Sequence, residues 1–200
     1  MTQKKLLALF IPAVIVVAID QLTKWIIRTS PELHRLDIID GWLAFYYTQN
    51  DGMAMGIDIF STPVISSISI VATIGILAYL LYSMDKAPVG YLIFMGLVIG
   101  GALGNITDRL TMGFIEGYGG LLDGHVVDFI YFNLELFDRP VFPYIFNVAD
   151  MAISVSIITL LLFNKKLMPH EYEEEEAIES EASSIESTEL ESEANLPEKE

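Results

Sequence analysis

The chain contains no cysteine among its 200 residues. Disulfide bonds, thiol catalysis and thiolate metal ligands are therefore excluded. Histidine is also scarce: His34, His125 and His170 lie far apart, and no HExxH or HxxxH spacing joins two of them. Because a zinc site in a cysteine-free protein depends on such histidine pairs, these absences argue against zinc. We expect a protein without a metal or another cofactor.

Charge is scarce along most of the chain and is concentrated at its end. Residues 171–200 hold 13 Glu and one Lys, a net charge of −12, so residues 1–170 carry only −4 of the total of −16. A segment so acidic and so poor in large apolar residues cannot offset the entropy lost on ordering. The composition predicts a membrane domain over residues 1–167 and a disordered acidic tail over 168–200. A tail that binds a partner is the alternative.

Long apolar runs dominate the rest of the sequence. The chain is 52% hydrophobic, with a mean hydropathy of +0.48, and a membrane-spanning helix needs about 20 apolar residues. Four runs of roughly that length occur, at residues 5–27, 64–82, 90–110 and 144–163. The first run could also be a cleaved signal peptide, but it is too long and no small-x-small cleavage site follows it. The predicted fold class is therefore a membrane all-α protein with four transmembrane helices.

The segments between these runs differ in length and composition. The long links at 29–62 and 111–143 contain clustered aromatic residues and the β-favouring stretch VVDFIYF, so we predict a small β-rich cap outside the cytoplasm. Within the third run, Gly96, Gly100 and Gly104 form overlapping GxxxG pairs. This spacing predicts close approach of helix backbones in lipid.

Polar residues interrupt the predicted helices at one level. The end of an odd helix and the start of an even helix face the same side of a four-pass protein. The polar groups at these ends therefore converge, and two more in the adjoining links can join them. The set comprises Asp20, Asn50, Asn105, Asp108, Arg109, Asp128, Asn147 and Asp150. Since each ionisable residue in a membrane segment costs at least about 2.5 kcal/mol, several at one depth indicate an active site or an ion path.

Four segments carry a family resemblance. They are AIDQLTK at 18–24, YTQNDGMAMG at 47–56, GGALGNITDR at 100–109, and VVDF at 126–129 with FNVAD at 146–150. In this order they resemble the lipoprotein signal peptidases, also called signal peptidase II, over residues 5–166. The resemblance implies a catalytic aspartate pair, Asp128 and Asp150. It implies lining or supporting roles for the other matched residues, which are Asp20, Asn50, Asn105, Asp108, Arg109 and Asn147.

The resemblance also implies a substrate and a location. The expected activity is removal of the signal peptide from diacylglyceryl-modified prolipoproteins, just before the lipidated cysteine. The expected location is the bacterial cytoplasmic membrane. The expected partners are these substrates and membrane lipids, without nucleic acid, and the expected state is a monomer.

Amide hydrolysis gives an independent reason for choosing two carboxylates. Two carboxylates about 3 Å apart share one proton, so one can draw a proton from water while the other donates to the scissile carbonyl. We expect Asp150 about two turns into its helix, and Asp128 folded back toward it. Asp150 could instead be an ion-pair partner of Arg109. Asp123, five residues before Asp128, is a rival for its role.

The sequence favours one orientation in the membrane and leaves two rival functions open. The basic residues near the termini and the short link are Lys4, Lys5, Lys86, Lys165 and Lys166. They favour cytoplasmic termini under the positive-inside rule, which makes the polar cluster face outward. The rival functions are a small proton-coupled transporter or channel, which requires polar groups at both faces, and a scaffold acting through the acidic tail.

Overall fold

Three long apolar helices form the body of the protein. The computed structural model describes residues 3–52, 61–136 and 139–169. Residues 170–200 of the acidic tail and residues 53–60, which include the end of the YTQNDGMAMG segment, lie outside the described residues. The helices are α1 (Gln3–Thr29), α2 (Thr62–Ser83) and α3 (Val89–Ile115), and each is long and apolar enough to cross a membrane. The first three apolar runs are therefore confirmed as helices. Pro63 lies in the first turn of α2, where its missing N–H leaves no bond unmade.

A small antiparallel sheet occupies the two long links, as predicted. Strands β1 (Arg35–Ile39) and β2 (Leu43–Asn50) precede α2, and β3 (Val126–Phe132) follows α3. Further along, β4 (Glu135–Leu136) and β5 (Arg139–Pro140) pair only with each other, whereas β6 (Ile145–Phe146) joins the main sheet. The main sheet has the order β1-β2-β3-β6. The edge-to-face contact of Phe45 and Phe129 links β2 with β3.

The fourth helix begins later than the sequence indicated. Helix α4 (Val148–Leu162) has 15 residues and is followed by the short α5 (Asn164–Leu167). The prediction of a helix from residue 144 was wrong because Ile145 and Phe146 pair with β3 and Asn147 caps the helix. Asp150 consequently lies in the first turn of α4, not two turns inside it. At 1.5 Å per residue, α4 spans about 22 Å, shorter than a hydrocarbon core of about 30 Å.

Helix α3 packs between α1 and α4 through its small residues. An added Cβ on Gly96 would lie 2.3 Å from the Leu9 carbonyl oxygen, and one on Gly100 would lie 2.6 Å from that of Ala13. On the α4 side, a Cβ on Gly101 would lie 2.5 Å from the Ala149 carbonyl oxygen. Glycines therefore set the backbone separation at both interfaces. The close approach predicted from the GxxxG spacing is seen for Gly96 and Gly100 against α1, whereas Gly101 makes the contact with α4.

The outward helix faces are apolar and exposed, as expected for a surface in contact with lipid. Val14 and Val71 are 65% and 70% exposed. Many of the buried apolar residues in the described part of the chain lie in two clusters. One is near the short α2–α3 link and includes Met84 and Leu92, and one is beneath the sheet and includes Phe129. The polar site described below lies at the sheet end of the helices.

Substituting Gly100 by Ala should destabilise the protein, whereas the same change at Gly75 should not. The new methyl group of Gly100→Ala would meet α1 backbone atoms that cannot move independently, and such overpacking typically costs about 1–3 kcal/mol. Nothing lies within 4 Å of a Cβ on Gly75, so Gly75→Ala should be neutral or stabilising by up to about 1 kcal/mol. The two variants can be compared by their melting temperatures in detergent. Equal melting temperatures would contradict the proposed close contact.

Candidate active site

Asp128 and Asp150 come together because α4 begins where the sheet ends. Asp128 lies on β3 opposite Thr48 of β2 and is 2% exposed. Two residues further along β3, Ile130 pairs with Phe146, and the chain enters α4 directly after that strand. The antiparallel pairing thus brings the start of α4 beside Asp128.

One asparagine connects the two aspartates. Asn147 is fully buried and its Nδ2 donates to Asp128 Oδ1 at 2.7 Å. Its Oδ1 accepts from the backbone N–H of Asp150 at 2.9 Å, while Asp150 Oδ2 accepts from the Asn147 N–H at 3.2 Å. This reciprocal pair is a capping box, which satisfies two backbone donors at the start of the helix. The cap of α4 is therefore also the bridge between the two carboxylates.

Asp150 is surrounded by hydrogen-bond donors. Asn105 Nδ2 donates to Asp150 Oδ1 at 2.8 Å, so both carboxylate oxygens accept hydrogen bonds. The positive end of the helix dipole lies at the same place. The contacts with Asn105 and Asn147 fix the orientation of the Asp150 carboxyl group.

The environment of Asp128 favours the protonated form. Burial raises the pKa of the Asp128 carboxyl from 3.8 to about 7, and the neighbouring charge of Asp150 acts in the same direction. Hydrogen bonds from Asn50 and Asn147 oppose the shift without cancelling it. The Asn50 bond, from Nδ2 to Asp128 Oδ2, measures 3.0 Å. Asp128 is thus the member of the pair whose surroundings favour a bound proton.

A buried lysine lies beneath the two aspartates. Lys24 Nζ is 2.8 Å from Asp20 Oδ2, 2.8 Å from Asp108 Oδ2 and 2.9 Å from Asn105 Oδ1. Lys24, Asp20 and Asp108 are at most 1% exposed. We call these three residues the lysine cluster. A single basic side chain therefore lies between two acidic side chains, with Asn105 as its third partner.

The lysine cluster also holds the backbone beside each aspartate. Asp20 Oδ1 accepts from the N–H of Ala149, which precedes Asp150, at 3.0 Å. Asp108 Oδ2 accepts from the N–H of Val127, which precedes Asp128, at 3.2 Å. Both carboxylates of the cluster therefore position the main chain of the candidate catalytic residues.

Lys24 was not predicted as a site residue, although it ends the AIDQLTK segment and follows Asp20 by four residues. That spacing places two side chains on one face of a helix and was a usable signal. Gln21 was also missed, and its Nε2 donates to Asp108 Oδ1 at 2.9 Å and to the Gly104 carbonyl at 3.1 Å.

Arg109 and Asp123 lie in settings that differ from those of the two candidate catalytic aspartates. Arg109 forms no ion pair with Asp150 within the described part of the chain, and its Nη1 is buried without a hydrogen-bond partner there. It nonetheless lies within electrostatic reach of Asp128 and Asp150. Asp123 Oδ2 accepts from the Gly120 N–H at 2.9 Å, so this carboxylate closes a turn.

The chain is similar to known membrane enzymes over most of its length. The family model described as signal peptidase (SPase) II matches residues 12–165. The lipoprotein signal peptidase of Shouchella clausii (strain KSM-K16) is 38% identical over 157 residues, covering 76% of this chain and 89% of that protein. The lipoprotein signal peptidase of Pelodictyon phaeoclathratiforme (strain DSM 5477 / BU-1) is 33% identical over 163 residues, covering 78% and 89%.

Solved structures give the same result. A bacterial membrane enzyme structure obtained by the in meso method at 2.3 Å resolution superposes with a TM-score of 0.59 at 31% identity, covering 78% of this chain and 86% of that one. A second such structure, at 1.9 Å resolution, gives a TM-score of 0.58 at 31% identity, covering 78% and 91%. Sequence and fold agree over the same part of the molecule, and the chain belongs to the signal peptidase II family.

Proposed function

We propose that the protein is an aspartic endopeptidase that removes signal peptides from diacylglyceryl-modified prolipoproteins, cutting just before the lipidated cysteine. Family membership supports the substrate class. The observation that carries the catalytic assignment is the bridge through Asn147, which hydrogen-bonds to both Asp128 and Asp150. Asp128 and Asp150 are the proposed catalytic residues.

The proposed reaction follows from the charge of each carboxylate. Asp150, ionised at the start of α4, takes a proton from a water molecule that attacks the scissile carbonyl carbon. Asp128, protonated, hydrogen-bonds to the carbonyl oxygen and protonates it as the tetrahedral intermediate forms. When the intermediate collapses, the C–N bond breaks and the leaving amine takes the proton held by Asp150. One hydroxyl group of the intermediate returns its proton to Asp128, which restores both carboxyl groups to their starting states. The products are a carboxylic acid and an amine, and no acyl-enzyme forms.

The supporting residues have proposed roles that follow from their contacts. Asn50, Asn105 and Asn147 donate to the two carboxylates and fix their orientation. Asp20 and Asp108 act one step further away, through the backbone of Ala149 and Val127. Arg109, with a buried and unpartnered nitrogen among the described residues, is available to a substrate carbonyl or phosphate oxygen.

The distribution of charge argues against a transporter or channel. Helix α2 contains no Asp, Glu, Lys or Arg, and α3 contains charged residues only at Asp108 and Arg109, near its end. A proton path would require ionisable groups through the depth of the membrane. In the described spanning helices these groups lie at the sheet end, apart from Lys4 and Lys5 at the start of α1.

A cleavage assay in membranes tests the proposed function. The purified protein in lipid vesicles should cut a diacylglyceryl-modified prolipoprotein and leave its unmodified form largely intact. Mass spectrometry of the product should place the cut before the lipidated cysteine. Cleavage of both forms at the same rate would contradict the proposed substrate, and absence of cleavage of either would contradict the activity.

The pH dependence of stability should report the protonation of Asp128. Because its pKa is raised from 3.8 to about 7, folding is favoured while this carboxyl is protonated, and the contribution is lost as the pH rises through about 7. The wild type should lose melting temperature between pH 5 and pH 7.5 relative to Asp128→Asn, which cannot ionise at this position. If the melting temperatures of the wild type and Asp128→Asn changed in parallel over that pH range, the raised pKa of Asp128 would be contradicted. Cleavage by the wild type should decline over the same rise in pH.

The proposed topology has four spans with both termini in the cytoplasm. Helix α4, although short, continues into α5, which brings Lys165 and Lys166 to the end opposite the sheet. Lys5 lies at that same end, where its Nζ donates to the carbonyls of Met84 and Asp85 at 3.1 and 2.7 Å. The positive-inside rule then makes this end cytoplasmic and the candidate active site extracytoplasmic. We propose a monomer in the bacterial cytoplasmic membrane.

Cysteine labelling tests this topology, since the native chain has no cysteine of its own. Ser83→Cys at the end of α2 should not react with a membrane-impermeant maleimide in intact cells, and should react after the membrane is permeabilised. Asp40→Cys, in the turn between β1 and β2, is the matched control and should react in intact cells. Labelling of Ser83→Cys in intact cells would show that the proposed orientation is inverted.

A further inference from the structure

An apolar groove runs from Asp150 along α4 and has no role in the chemistry described above. One wall is a stripe of α4 that descends from Asp150 through Met151, Ser154, Val155 and Ile158. The cavity has a volume of about 600 Å³, within the range of about 300–1,000 Å³ usual for ligand sites. It begins at a proposed catalytic carboxylate and extends about 12 Å along the helix.

The opposite wall is built from aromatic residues of the sheet and its loops. Trp42, Phe132, Phe142 and Phe146 line it. Phe132 contacts the other three rings, at centroid distances of 6.4, 6.3 and 5.3 Å for Trp42, Phe142 and Phe146. The groove therefore lies between the aromatic cap and a helix face whose outer residues, such as Val155 and Ile158, are 55% exposed.

The groove suits an alkyl chain better than a peptide. Every peptide unit carries a donor and an acceptor that require partners when buried. Among the residues named as its lining, only Asp150, Ser154 and the indole N–H of Trp42 offer polar side chains. The groove is elongated, since its α4 wall runs for about 12 Å from Asp150 to Ile158. An acyl chain has no polar groups to satisfy and fits this shape.

Ser154 is the polar exception within the helix wall. Serine and threonine in apolar helices commonly donate to the carbonyl four residues earlier. Ser67, Ser156 and Thr159 do so, at 2.7, 2.6 and 2.7 Å. Within the described residues, the Ser154 hydroxyl makes no hydrogen bond. It is exposed in the groove one helical turn below Asp150, where it can donate to an ester carbonyl of a bound lipid.

We propose that this groove binds an acyl chain of the substrate's diacylglyceryl group, with Ser154 hydrogen-bonding to its ester carbonyl. The proposal rests on the proposed function and adds the subsite that recognises the lipid. An acyl chain lying along α4 places the glyceryl thioether, and hence the modified cysteine, beside Asp150. Binding in the groove would therefore select the lipidated substrate and set the position of the cut.

Two adjacent exposed residues of α4 provide a matched test. Ile158 lines the groove, whereas Ile157 is exposed at 45% and is not part of the lining. The two substrates are the same prolipoprotein carrying either two long acyl chains or two short ones. Ile158→Trp should lower kcat/KM for the long-chain substrate at least about tenfold and reduce the preference for long over short chains. Ile157→Trp should leave both substrates unchanged.

The other outcomes would overturn the proposal. If Ile158→Trp slows both substrates equally, the groove binds the signal peptide; if it slows neither, only bulk lipid occupies the groove. Wild-type turnover in the same assay separates these results from failure of the proposed function.

Ser154→Ala should raise KM for the lipidated substrate about three- to tenfold with little change in kcat, the loss expected for one hydrogen bond. Ser154→Thr, which keeps the hydroxyl group, should have a KM close to that of the wild type. An unchanged KM in Ser154→Ala would show that the Ser154 hydroxyl does not hydrogen-bond to the lipid.

Discussion

Replacement of Asp150 by Asn is expected to abolish prolipoprotein cleavage while leaving the protein folded. The amide can still accept the backbone hydrogen bond that completes the α4 cap, but it cannot take a proton from water. Asp128→Asn should be equally inactive, because an amide cannot transfer a proton to the developing oxyanion. Loss of one acid–base group costs about 10²–10⁴ in rate, and the two changes should not be additive.

Initial rates on a diacylglyceryl-modified prolipoprotein measure these effects. Asp123→Asn is the control, since its carboxylate closes a turn at Gly120 and should be dispensable for chemistry. Circular dichroism and melting temperatures check that each variant folds. Substantial turnover by Asp128→Asn, combined with loss of activity in Asp123→Asn, would transfer the catalytic role to Asp123.

Replacement of Lys24 by Met should cause the largest loss of stability. The change leaves Asp20 and Asp108 buried next to each other without a cation, and breaking a buried ion pair in this way typically costs about 3–5 kcal/mol. A loss of that size is a large part of the stability of a domain of this size. We expect a strongly lowered melting temperature in detergent and little folded protein on expression.

A combined variant separates lost charge balance from lost packing. Lys24→Met together with Asp20→Asn and Asp108→Asn removes all three charges and should recover much of the stability. Lys165→Met, at an exposed site, should leave the melting temperature unchanged and serves as the matched control. A melting temperature for Lys24→Met close to that of Lys165→Met would mean that the lysine cluster contributes nothing to folding.

The sequence predicted which segments are helical and which polar residues come together, but it placed Asp150 too deep in its helix. The first three apolar runs became helices because their length and composition left few other stable arrangements in a membrane. The glycine spacing also predicted which face of α3 approaches a neighbouring helix. The start of α4 was misplaced because Ile145 and Phe146 are apolar in either state, and only their pairing with β3 makes them strand.

The arrangement of the site depended on contacts that no local pattern specifies. The role of Lys24 requires α1 and α3 to approach closely enough for Asp108 to reach the same ammonium as Asp20. The bridge through Asn147 requires both the strand pairing and the helix cap. The catalytic assignment of Asp128 and Asp150 stays a prediction until the variants are measured.

The pair of Asp20 and Lys24 has a consequence for how the chain enters the membrane. Both residues belong to α1, one turn apart, whereas Asp108 is reached only after about 80 further residues have been made. The first helix therefore carries its own counter-ion, and it can partition into lipid as a nearly neutral segment before any other helix is present. When α3 arrives, Asp108 joins an ammonium that is already in place. The positive charge of Lys24, which helps to organise the folded enzyme, is thus paired with Asp20 from the earliest stage of membrane insertion.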